Sequence, residues 1–168
     1  MNDIERELIE RLDIMEEHTQ RLQRAIIAIR NGQPFNEAFD EIFLEDKAEE
    51  KKTSSYMGRM MEHLLKLAYS TGEARQRNEN VWKTSFQNHQ ERFVNILGWD
   101  SSDLDKNLMR YTNKKLQSSY EWAIKLYERA MQEHSDLVEG RQRIPVECPW
   151  TVEELASFTI DKLVNKLR

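Results

Sequence analysis

Four histidines are the first residues to question for chemistry: His18, His63, His89 and His134. Each falls in a different long helical stretch. Imidazole is a common metal ligand, and a helical bundle can gather ligands from facing helices. His89 and His134 lie on apolar stripes, and His63 sits among Met60, Leu64 and Leu67. Three inward imidazoles would make an open zinc-type centre. The spacings that mark a metal-binding helix are missing, for there is no H-x-x-x-H, E-x-x-H or H-E-x-x-H. A lone histidine on an apolar face is as a rule a hydrogen-bonded core residue. Two readings therefore stand: packing, or a metal centre of His63, His89 and His134.

The other reactive groups are sparse. Cys148 lies in Glu147-Cys148-Pro149-Trp150 with no histidine close in sequence. A reactive thiolate needs a cationic neighbour or a helix N-terminus, and only the helix opening near Thr151 offers one. The plainer reading is that Cys148 and Trp150 plug the loop onto the bundle. Carboxylate pairs (Glu16-Glu17, Glu49-Glu50, Glu153-Glu154) fall at exposed helical positions, and the five glycines are too scattered for a phosphate loop. Trp82, Trp99, Tyr111, Tyr120, Trp122 and Tyr127 alternate with Lys and Arg, a pattern that can grip single-stranded nucleic acid. Ordinary amphipathic helices show the same pattern.

Helices must position these groups. Apolar spacing is helical throughout, with no segment of period two. Residues 3–31 carry Leu8, Leu12, Met15, Thr19, Leu22, Ile26 and Ile29 at steps of three and four. This stripe resembles a short coiled-coil seam, and is read here as one wall of a bundle. A helix of that length spans about 42 Å. Asn31-Gly32 suits a left-handed stop. A second stretch follows Pro34 to about Tyr69, with a break expected near residues 51–55. Its part 56–69 is apolar almost all round, so it is the central core helix. A third runs from about Glu79 to Leu97, ended by Gly98. A fourth starts after Asp100-Ser101-Ser102 and continues to about Val138. Residues 140–149 form a loop, and the capping box Thr151-x-x-Glu154 opens one last helix through Leu163. The expected fold class is all-α: an antiparallel bundle of four long helices plus a C-terminal helix, in one domain over 1–168.

Composition sets the outer bounds. The 168 residues carry 25 Lys and Arg against 30 Asp and Glu, a net charge of -5. Residues 1–50 hold 14 acidic and 6 basic residues, and the remainder 16 and 19. An acidic balance argues against a bare nucleic-acid binder. No apolar run approaches a membrane span. One cysteine excludes an internal disulfide framework. With a charged N-terminus unlike a secretory signal, the expectation is a reducing cytoplasm.

Several runs together resemble a known family. His63-Leu64-Leu65-Lys66-Leu67-Ala68-Tyr69 is similar to the core helix of the bacterial domain of unknown function 29 family. Trp82 and Lys83 fit its next helix. Ser101-Ser102-Asp103-Leu104 fits its turn into a long helix, where Tyr120 and Ala123 fall in place. Pro145-Val146-Glu147-Cys148-Pro149-Trp150-Thr151 resembles its ending and is the most specific piece. Arg30-Asn31-Gly32 looks like the family's Arg-x-Gly turn. The resemblance covers about residues 30–156. Leu67 stands where Trp is frequent, and Asn80-Val81 where a Ser run is usual. The family implies an all-helical bundle with no established activity. It selects His63, Lys66, Trp82, Tyr120 and Cys148 as candidate ligand-binding positions, while His89 and His134 match none of its motifs.

The functional expectation is a non-enzymatic cytoplasmic interaction protein, self-associating or binding a protein partner through Leu8, Leu12 and Met15. No cofactor, membrane or nucleic acid is expected. The alternative is a metal- or small-ligand-binding bundle, hydrolase-like, centred on His63.

Overall fold

The structure is a computed structural model. It describes residues 12, 15, 19–20, 22–32, 35–132 and 143–168, with only the helical backbone over 35–47. Among these residues every regular element is a helix. In chain order they are α1, helical at its described residues through 30, then α2 (Phe35–Tyr69), α3 (Gly72–Leu97), α4 (Lys106–Ala130), α5 (Val152–Ser157) and α6 (Ile160–Asn165). The chain divides into two compact units, Met1–Glu49 and Glu50–Arg168, with the division inside α2. No helix among the described residues is long and apolar enough to cross a membrane.

In the second unit the all-α bundle is built around α2. Met57, Met60, Met61, Leu64 and Leu65 are fully buried, as the all-round apolar pattern requires. Phe86, Phe93 and Leu97 of α3, Tyr120, Ala123 and Tyr127 of α4, and Trp150, Leu155 and Leu163 of the C-terminal segment complete one core. Helix α2 is continuous where a break was expected. Its short side chains at 53 and 54 face the bundle: Thr53 is buried, and Ser54 Oγ lies 3.4 Å from the Tyr111 hydroxyl of α4.

Helix α3 starts seven residues before its expected onset. Its first turns have little apolar spacing and are laced instead by i,i+4 ion pairs, Arg77–Glu73, Arg75–Glu79 and Lys83–Glu79. It stops where expected. Gly98 is left-handed (φ 64°), and Trp99 N–H donates to Val94 O, a Schellman closure. The residues 101–103 fold the turn, and the cap of α4 is Asp105, whose carboxylate accepts from Leu108 N–H at 3.0 Å. Helix α4 ends at Ala130, short of the expected Val138: Met131 and Gln132 form a turn, and residues 133–138 lie outside the described residues.

The single C-terminal helix of the sequence reading is two short helices. Thr151 and Glu154 form the capping box, but Phe158 is extended (ψ 150°). The carbonyls freed there have a partner: Gln90 Nε2 of α3 donates to Leu155 O at 2.8 Å and to Phe158 O at 3.0 Å. A side chain from another helix thus satisfies the interrupted ladder, which local patterning does not reveal.

In the first unit, Asn31 N–H closes on Ile27 O and Gly32 (φ 92°) supplies the left-handed stop. Ala25 is buried, whereas Leu12, Met15, Leu22, Ile26 and Ile27 are 48–65 % exposed.

Candidate functional site

The family-like run of α2 carries a polar strip beside its apolar faces. Glu62 is only 4 % exposed. Its carboxylate takes Lys66 Nζ at 2.7 Å on one oxygen and Arg59 NH1 at 2.9 Å on the other. Spacings of three and four put all three on one side of the helix. Burial raises the Glu62 pKa, but Lys66 and Arg59 outweigh it and hold the carboxylate below its usual range. Each cation also meets an aromatic face from a neighbouring helix. Lys66 Nζ lies 5.9 Å from the centroid of the Trp82 ring, and the Arg59 guanidinium 5.5 Å from that of Trp122.

Beside this strip, His63 of α2 and His89 of α3 stack, with ring centroids 5.8 Å apart and planes 14° from parallel. Tyr56 approaches His89 at 5.9 Å. The Nδ1 atoms of both imidazoles are buried with no hydrogen-bond partner. Burial drives the His63 pKa down to about 4; Lys66, His89 and Arg59 push the same way, and Glu62 opposes them. His89 is lowered by burial, Arg92 and Arg59. Both rings are neutral at pH 7, the form that binds cations and accepts hydrogen bonds. His134 and His18 lie outside the described residues. Among the described residues no three His, Cys, Asp or Glu side chains gather into a metal cage.

Tyr120 and Cys148 belong to a second cluster, around the loop before α5. The Tyr120 hydroxyl donates to Pro145 O at 2.9 Å, and its ring meets Trp150 edge-on at 5.8 Å. Trp150 Nε1 donates to Leu163 O. Gln117 clamps the loop with both ends of its amide, accepting from Cys148 N–H at 2.9 Å and donating to Val146 O at 3.1 Å. The Tyr69 hydroxyl lies 3.1 Å from both Arg143 O and Leu167 O. Burial pushes the Cys148 thiol up to about 11, so at neutral pH it is a thiol and a poor nucleophile. Cys148 and Trp150 hold the loop on the bundle. Two shallow clefts run beside α3 and α6: one of about 210 Å³ lined by Leu67, Arg75, Lys83, Ile160 and Val164, and one of about 390 Å³ lined by Lys83, Gln90, Phe158 and Asp161.

Of the candidate positions, Lys66 and Trp82 meet at the strip, and His63 stacks on His89 beside it. The residue the sequence reading missed is Glu62, whose signal was an acid four residues before a lysine within an otherwise apolar helix. Gly58 was also missed as a contact. A Cβ built there would overlap the Trp122 ring, 2.6 Å from Cζ3 and nearer still to Cε3, so the glycine lets α4 lay its tryptophan on the α2 backbone.

The comparisons with known proteins bear on this whole region. No curated protein and no solved structure matches the chain. One family model does, over residues 35–159, a span that holds the ion-paired strip, the stacked imidazoles and the Cys-Pro-Trp corner. The chain accordingly belongs to the family described as domain of unknown function DUF29.

Proposed function

We propose that the protein is a non-enzymatic, cytoplasmic protein–protein interaction module whose contact face is the apolar stripe of α1. One observation carries the reading. Leu12, Met15, Leu22 and Ile26 share a helix face, and each is about half exposed or more. An apolar surface of that continuity, left in water, favours association. The lone cysteine agrees with a reducing compartment, and the raised pKa of its thiol gives it no catalytic task. The test places a photo-crosslinking residue at Ile27, an exposed position on the flank of α1 next to Ile26, with a control at Glu121 on α4. Protein adducts from residue 27 only, abolished by Leu22→Asp, are the expected result. Equal adducts from both positions, or none from 27, overturn the reading.

A second reading rests on the two bare Nδ1 atoms of His63 and His89. It makes the strip a site for a cation or small ligand, with His63, His89 and His134 as metal ligands, or with Lys66 and Trp82 beside His63. Titration with zinc chloride by calorimetry tests it. Heat that saturates and disappears in His63→Ala supports it, and no saturable heat rejects it.

A further inference from the structure

The structure assigns the larger cleft beside α3 and α6 to a neutral, polyhydroxylated ligand, a saccharide. The site lies wholly within the second unit and is independent of the α1 stripe and of the imidazole pair. The cleft exists because the chain leaves the helix at Phe158. Phe158 and Thr159 are extended (ψ 150° and 157°), and Gln90 Nε2 of α3 fixes the break by donating to Leu155 O and Phe158 O. This span and α3 together line a hollow of about 390 Å³. Pockets for small ligands usually measure about 300–1,000 Å³.

The lining selects the chemistry. Small-molecule pockets are as a rule mostly apolar, with a few polar groups. Here the proportion is reversed, and Phe158 and Ile160 are the apolar members. Three side chains bring hydrogen-bonding capacity that the fold leaves unspent. Thr159 stands at the cap position of α6, yet its hydroxyl makes no capping bond. The Gln87 amide and the Asp161 carboxylate are exposed and, among the described residues, have no side-chain partner. Ser157, by contrast, spends its hydroxyl on Glu153 O at 2.7 Å. An amide, a hydroxyl and a carboxylate offer both donors and acceptors, and one carboxylate accepts two hydroxyls at once. Adjacent hydroxyls on a sugar ring match that set, and its ring carbons suit the wall of Phe158 and Ile160. Charge argues against a simple ion, because Lys83 and Asp161, the charged members of the lining, balance each other. Lys83 Nζ also meets Glu79 at 2.9 Å, so a cation on Asp161 is the alternative to separate.

Amide NMR titration of the full chain tests the assignment, with glucose, galactose, mannose, N-acetylglucosamine and maltose as probes. The expected result is that at least one sugar shifts the signals of residues 157–161 and of the Gln87 side-chain amide. The shifts should saturate with a dissociation constant on the order of millimolar, as an open site and a small ligand require. Asp161→Asn and Gln87→Ala replace exposed side chains, so the remaining spectrum should be unchanged while binding weakens about fivefold or more in each. No saturable shift with any of the sugars overturns the proposal, as do shifts that Asp161→Asn leaves as they were. Putrescine is the cation probe: saturable shifts of residues 157–161 with putrescine and with none of the sugars make Asp161 a cation site and overturn it too.

Discussion

His63 and Glu62 are neighbours on α2 with opposite responses to burial, and each makes a separate prediction. His63 is held neutral, with its pKa lowered from 6.5 to about 4. The unfolded chain therefore binds a proton before the folded one does, and stability present above pH 6.5 drains away as the pH falls toward 4. The loss expected from this group is about 3 kcal/mol. Thermal melts from pH 7 to pH 4 should show it, and His63→Gln should flatten the profile; an unchanged slope in that variant would assign the acid sensitivity elsewhere. Glu62 is ionised, and its charge is what makes a buried Lys66 tolerable. Glu62→Gln leaves that ammonium without its counter-charge and should cost about 3 kcal/mol in urea unfolding. A cost under about 1 kcal/mol would mean that water screens the pair.

At the scale of helices, the contact between α2 and α4 depends on the absence of a side chain at Gly58. Gly58→Ala gains helix propensity of about 1 kcal/mol, yet forces a methyl into Trp122, which costs about 1–3 kcal/mol. A net loss is expected by chemical denaturation, turning into a net gain when Trp122→Ala is combined with it. Additive effects of the two changes would refute the contact. The same helices show which parts of the fold were readable in advance. The buried side of α2, the stop at Gly98 and the capping box at Thr151 are local signals, set by periodicity and caps, and they stand in the structure as expected. The start of α3 and the break at Phe158 depend on ion pairs and on Gln90 reaching from another helix, so apolar spacing could not show them. The strip was half readable: the family resemblance marked His63, Lys66 and Trp82, but Glu62, which pairs with Lys66, was hidden among its apolar neighbours.

At the scale of the whole chain, the division at Glu49/Glu50 puts the entire shared core in one part: its buried members run from Met57 to Leu167. A fragment of residues 50–168 should therefore fold alone and unfold in one cooperative transition, checked by circular dichroism and calorimetry. A fragment that melts broadly would show that the first unit contributes to the core.

One further consequence concerns the stretch before α5. The carbonyls of Arg143, Pro145 and Val146 each accept a hydrogen bond from a helical side chain, Tyr69, Tyr120 and Gln117 in turn. A protease must draw the scissile carbonyl into its own oxyanion pocket and straighten several residues around it. The exposed Arg143 side chain looks like an invitation to trypsin, but its carbonyl is tethered. Under native conditions trypsin should spare the Arg143–Ile144 bond, and Tyr69→Phe should open it to cleavage.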